Sequence, residues 1–380
     1  MSPSLPEVPE LLAHLVQCPS VGGPDGNGEA AMASLLAHLL EPWADEVTVT
    51  EVVPGRPCLI AKFEGLDPTR AFAFEAHSDT VSVEGMSVDP FAATVRDGRL
   101  YGRGACDTKG PMAAMLLAIL RHLRDHGRPP VTWYFLSTCD EELGGLGARH
   151  LMESGFRCDG IVVGEPTSLR AVDAHKGAVR YTVTISGKAA HSSTPELGAN
   201  AVHAAAQFIL HLERGVSALD RPEFASEPGP PTLNVGTIRG GDQVNRIPAQ
   251  AALEIDIRLP YGWEEGLADG LLTEAASLVQ ASRPGIRVTH TRSQYYPPFA
   301  LPIGDAFRSI VCPLATAGYA KVRYATNAGF FAAAGIPCVV FGPGSPAQAH
   351  TADEWVALAE VEEAARLLAR CISQAKPGQA

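Results

Sequence analysis

The sequence predicts an α/β protein, a mostly parallel sheet covered by helices, with an α+β domain inserted into it. Three observations carry this. Short apolar runs alternate with helical patterns, as in sheets built from strand–helix units. Several of those runs stop at a histidine or carboxylate. Between Lys176 and about Tyr296 the pattern changes to alternating strands, and the first pattern then resumes. At 380 residues the chain exceeds the size at which one core keeps growing, so two domains are expected. The boundaries read as 1–176 with 297–380 for the main domain and 177–296 for the insert.

Taken in order, a Pro-rich start leads into a short amphipathic helix from Val8 to Gln17. The run Ala71-Phe72-Ala73-Phe74 leads into Glu75-Ala76-His77-Ser78-Asp79. A glycine-rich turn, Gly102 to Gly110, contains Asp107 and opens an apolar helix from Met112 to Leu123. Val131 to Leu136 leads through Ser137-Thr138-Cys139 into Asp140-Glu141-Glu142, and Ile161-Val162-Val163 into Gly164-Glu165. In the insert, Val179 to Ile185 alternates as a strand with one wet face should. A helix from Ala199 to Leu212 follows, then strands Thr232 to Ile238 and Ala251 to Leu259 around the loop Gly240 to Pro248. A helix from Trp263 to Ala281 and a strand from Ile286 to Arg292 complete it. Beyond it, Cys338 to Phe341 runs into Gly342-Pro343-Gly344 and, after a short loop, His350.

Composition narrows the function classes. Hydrophobic residues make up 46% and charged residues 19%, which suits a globular protein rather than a disordered or fibrous one. A net charge of -12 with no Lys/Arg cluster disfavours nucleic acid and anionic membrane surfaces as partners. No basic–apolar leader and no run of about 18 apolar residues is present, so neither secretion nor membrane insertion is expected. The eight cysteines form no C-x-x-C pair and read as reduced thiols of a cytoplasmic protein.

In open α/β sheets ligands bind beyond the carboxyl ends of the strands, where side chains distant in sequence converge. His77, Glu141, Glu142, Glu165 and His350 fit that placement, and Asp107 could join them. Any one of these alone reads as a solvated loop residue or a helix cap. As a set they favour a metal site, because adjacent Glu141 and Glu142 would repel without a nearby cation.

At these residues the sequence closely resembles the acetylornithine deacetylase and succinyl-diaminopimelate desuccinylase family, which also contains aminoacylases, glutamate carboxypeptidase and dipeptidases. The blocks HSDTV (77–81), GRGACDTKG (102–110), DEELGG (140–145), GEPT (164–167), HSSTP (191–195) and FGPGSPAQAHTADEW (341–355) carry the resemblance. It implies a hydrolase with two divalent metal ions, zinc first and cobalt as the alternative. His77 and Glu165 would hold one ion, Glu142 and His350 the other, and Asp107 would bridge both. Imidazole and carboxylate ligands without thiolate suit that assignment. Asp79 would accept the other ring N–H of His77 and fix its tautomer. Glu141 would be the general base and pass the water's proton to the departing amine. The family also implies a cis bond between Asp107 and Thr108.

The resemblance makes the insert a lid and dimer interface, with His191 reaching the neighbouring subunit's site. Read alone, His191 is a loop histidine before Pro195. Arg258 occupies the position at which the family binds a substrate α-carboxylate, and Asn245 is a weaker candidate for the same task. Without the family, Arg258 reads as a strand-face arginine paired with an acid. The implied substrate is a small N-acyl amino acid. A dipeptidase or carboxypeptidase is the alternative, and Glu165 favours the deacylase, since the peptidase branches usually have Asp there. A non-catalytic binding protein of the same fold would lack a ligand or the base, and none is missing. Asn327 stands where acetylornithine deacetylases often carry a carboxylate. Thr108 replaces a common methionine.

Overall fold

A computed structural model describes residues 5–23, 28–222, 228–263 and 266–376 and divides into two compact units. The first takes its residues from Met1–Ala174, Phe299–Ala320 and Thr326–Ala380, the second from His175–Pro298 and Lys321–Ala325.

The first unit is built on a large sheet whose centre is parallel. Strand Asp67–His77 lies between Val131–Thr138 and Ile161–Val163, and Cys338–Val340 pairs with Ile161–Val163, all parallel. Antiparallel strands Arg56–Phe63 and Glu46–Val53 extend one flank, and Ala171–His175 is antiparallel to Cys338–Val340 on the other. The central runs are apolar at successive positions because both faces are covered; Phe72, Ala73 and Phe74 are all fully buried. Helices Val8–Gln17, Lys109–His126 and Leu358–Gln374 share one core with the sheet, in which Leu12, Met112, Leu116, Phe74, Val339 and Leu368 belong to one cluster. Helix Lys109–His126 is longer at both ends than the expected Met112 to Leu123. Its buried residues include all those from Lys109 to Leu120, so its apolar character does not mark a single face.

The second unit has a four-stranded antiparallel sheet in the order Thr232–Gly240, Gln250–Leu259, Gly177–Ser186, Arg287–Tyr296. Alternate residues Val179, Tyr181, Val183 and Ile185 are buried in one core with residues of helices Ala201–Ser217 and Leu267–Ser282. The expected helix from Ala199 begins at Ala201, because the Asn200 side chain caps it by accepting from His203 N (3.0 Å). The helix expected from Trp263 begins at Leu267 in the structure; residues 264–265 lie outside the described residues. The last strand continues past Arg292 to Tyr296 through a register shift between Arg292 and Gln294. Among the described residues no helix is long and apolar enough to cross a membrane.

Candidate metal centre

The register of the parallel strands brings the site together. His77 is the last residue of its strand and pairs with Thr138, while Glu75 pairs with Val163, so three strands end side by side. Glu141, Glu142 and Glu165 follow within a few residues. His77 Nε2 lies 3.1 Å from Asp107 Oδ1 and 4.0 Å from Glu165 Oε1. His350 Nε2 lies 3.3 Å from Asp107 Oδ2 and 3.0 Å from Glu142 Oε1. Each oxygen of Asp107 therefore faces a different imidazole. Two sets, His77 with Glu141 and Glu165 and His77 with Asp107 and Glu142, each bring one donor atom per residue within 4.8 Å of the others. The donors are nitrogen and oxygen only; the neighbouring Cys106 thiol instead lies 3.4 Å from the Ser345 carbonyl. This set fits hard or borderline divalent cations.

The electrostatics point the same way. Burial pushes the Glu141 carboxyl well above its ordinary range, with Glu142 and Asp107 adding to the rise against His77. Burial likewise raises Glu165, reinforced by Asp107 and Glu141. Burial raises Glu142 despite its hydrogen bond with His350. Burial would pull His77 down, but its hydrogen bonds to Asp107 and Asp79 hold it well above the usual imidazole value. His350 is pushed up to about 10 by Asp107 and Glu142. Burial favours a protonated Asp107, yet the two imidazoles outweigh it and hold that carboxyl low. Four carboxyl groups crowded around two imidazoles hold protons they would shed in water, and a divalent cation would take the place of those protons.

Supporting contacts fix the loops. Asp79 accepts the backbone N–H of Glu141 and of Glu142, both at 3.0 Å, one on each carboxylate oxygen. His77 Nδ1 is 2.9 Å from the Asp79 backbone carbonyl and 3.5 Å from its carboxylate, so the carbonyl is the nearer acceptor. Asp140 has φ 66, a left-handed conformation, and is pinned by Glu29, which accepts its N–H at 2.8 Å, and by Arg56 at 2.5 Å. Arg56 also pairs with Glu29. The Asp107–Thr108 bond is cis, and the Thr108 hydroxyl donates to the Gly164 carbonyl at 2.7 Å. Gly342 lets the Glu165 backbone approach closely, since a Cβ there would stand 2.6 Å from the Glu165 carbonyl oxygen. Asn327 is buried and donates to Glu75 Oε1 (3.0 Å) and Thr138 Oγ1 (3.1 Å).

His191, Asn245 and Arg258 belong to the second unit, and the residues gathered around Asp107 to the first. The exposed loops of His191 and Asn245 are tied together, with Ser192 N donating to the Asn245 carbonyl at 3.0 Å and His191 bridged to Arg246. Arg258 pairs through two hydrogen bonds with Asp256, at 2.6 and 3.1 Å, the acid-paired arrangement that strand position alone suggests. Glu29, Arg56, Arg103 and Glu354 were not legible as parts of the site. Their partners are backbone N–H groups or residues far along the chain, and only the last two lie within the resembling blocks.

An open sheet whose strands deliver imidazoles and carboxylates to one shared aspartate defines the class, a metal-dependent hydrolase. The chain belongs to peptidase family M20/M25/M40, which it matches over residues 73–374. It is 33% identical to the acetylornithine deacetylase of Proteus mirabilis (strain HI4320), covering 98% of this chain and 97% of that protein. It is 34% identical to the acetylornithine deacetylase of Erwinia tasmaniensis, covering 98% of each. An aminopeptidase from Bacillus cereus has the same fold, with a TM-score of 0.79 at 22% identity over 97% of this chain and 98% of that one. So does a dinuclear metal-binding peptidase of this family from Bacillus subtilis, with a TM-score of 0.70 at 16% identity over 96% of each chain.

Proposed function

We propose that the protein hydrolyses the amide bond of a small N-acyl-L-amino acid. The observation that carries this reading is the pair of imidazoles on opposite oxygens of Asp107, with Glu141 in reach of the same cluster. In this reading His77 and Glu165 would hold one metal, Glu142 and His350 the other, and Asp107 would serve both, with zinc as the ion and cobalt as a substitute. Such ions, when bound, activate water and polarise the scissile carbonyl. Glu141 takes the water's proton and returns it to the departing amine. The N–H groups held by Asp79 fix the backbone of both glutamates, so that Glu141 and Glu142 keep separate tasks.

Arg258 would receive the substrate carboxylate once Asp256 releases the guanidinium; a planar fork suits that exchange. Asn245, on the loop at the other end of the hairpin that carries Arg258, is the weaker candidate for that task. The inserted domain would serve as lid and dimer interface, with His191 donating to the partner's reacting carbonyl. Eight unpaired cysteines support a cytoplasmic setting. Asn327 stands where acetylornithine deacetylases often carry a carboxylate; if that group meets a cationic side chain, its absence favours a substrate other than acetylornithine. A hydrolysis panel of N-acetyl, N-succinyl and N-formyl amino acids and dipeptides, with added zinc or cobalt, tests the reading. Turnover confined to dipeptides would replace it with a peptidase.

A further inference from the structure

Glu354 is fully buried, four residues after His350, and its carboxylate accepts hydrogen bonds from four groups. Oε1 accepts the backbone N–H of Cys106 at 2.9 Å and of Asp107 at 3.0 Å. Oε2 accepts the N–H of Gly104 at 3.1 Å and the Arg103 guanidinium at 2.6 Å. Arg103 continues the connection, donating to the Ser82 carbonyl at 3.1 Å and the Thr351 carbonyl at 3.4 Å. Gly102 N in turn donates to the Glu354 carbonyl at 3.0 Å. The loop that carries Asp107 is thus folded around one side chain of the segment that carries His350. Gly104 makes this wrap with φ 79, a conformation that favours glycine.

We propose that Glu354, braced by Arg103, is a positioning residue that sets Asp107 between His77 and His350 and thereby sets the affinity of the metal pair. The inference rests on the metal-site reading above but not on any substrate. A turn alone does not require an ion at its centre. A burial this deep is costly for a carboxylate unless each oxygen is fully paired, and here the pairing groups belong to the ligand loop itself. No neutral isostere can take over. A glutamine has one accepting oxygen, so in either orientation its NH2 would confront two of the four donors.

The test is Glu354→Gln, with the purified full chain stripped of metal and titrated with zinc against a chromophoric chelator, then loaded with cobalt for visible absorption. The expected result is zinc affinity weakened about 10–100-fold at one site or both, the range for residues that orient ligands, with an altered cobalt band. Affinity within about twofold of wild type and an unchanged band overturn the proposal. If Glu354→Gln yields no cooperatively melting protein, Arg103→Lys decides. It keeps the charge and all three backbone donors but loses the fork, and wild-type affinity and cobalt band in that variant overturn the proposal equally. A wild-type protein that binds metal but hydrolyses no N-acyl amino acid removes the substrate reading and leaves this one standing. One that takes up no metal removes both.

Discussion

Asp107 offers one oxygen to each of two imidazoles, and that arrangement sets how protons and metal compete. In the metal-free chain Asp107 and Glu142 raise His350 to about 10, above its ordinary 6.5, so it holds a proton at neutral pH. The sign follows from linkage. A raised folded pKa gives a stabilisation that is complete below about 6.5 and fades as pH climbs through about 10. A metal ion needs the neutral ring, so binding at pH 7 releases protons and apparent affinity rises with pH toward about 10. Calorimetric titrations in buffers of different ionisation enthalpy should give different apparent heats; equal heats would contradict this. Glu141 belongs to the same residue-level logic. Glu141→Gln should retain both metals, by elemental analysis, while turnover falls at least about a hundredfold. Loss of only a few-fold would remove it from the role of base. His77, Glu142, Glu165 and His350 were legible because each follows an apolar run closely enough for strand order to explain it. The burial of Asn327 was not, since nothing in its neighbourhood announces the hydrogen bond to Glu75, far away in the chain.

At the scale of elements, the common register of three parallel strands does the assembling, and the loops after them need separate restraint. Asp79 restrains the Glu141–Glu142 loop with one oxygen per N–H. Asp79→Asn keeps the shape but leaves an amide NH2 facing one of those donors, a mismatch of about 1–3 kcal/mol where no water reaches. Turnover at saturating substrate should fall about 10–100-fold. A variant with unchanged kcat and metal content would show that the loop holds itself. The helix Lys109–His126 is a second control point, since it starts two residues after Asp107 and is buried along most of its length. Leu116→Ala there should lower stability by about 2–5 kcal/mol, read from denaturant unfolding. The alternating strands of the second unit were readable from their period, and four strands of the first from their unbroken apolar runs, whereas the buried strands Arg56–Phe63 and Ala171–His175, broken by Lys62 and by Asp173, were not. Strand Glu46–Val53 was not, because its largely exposed residues bury no face that would leave a pattern.

For the whole molecule, the proposed dimer makes a prediction that no single subunit can satisfy. His191→Ala should cripple hydrolysis with little loss of metal, and mixing it with His350→Ala should restore part of the activity. A hybrid dimer would pair intact metal ligands on one chain with an intact His191 on the other. Subunit exchange is shown first by mass spectrometry of tagged chains; hybrids without recovered activity would mean that His191 serves its own subunit or is only a loop histidine. The sheet order has a further consequence, for synthesis. Strand Cys338–Val340 lies between Ile161–Val163 and Ala171–His175, yet the ribosome makes it only after the entire second unit. Until then the nascent first unit holds an empty slot with two bare backbone edges, the kind of surface that recruits other chains. Messages truncated before residue 338 should therefore yield insoluble product rather than a smaller folded protein. The last histidine of the centre also arrives only behind that closing strand, so a growing chain cannot assemble the full ligand set before its sheet is shut.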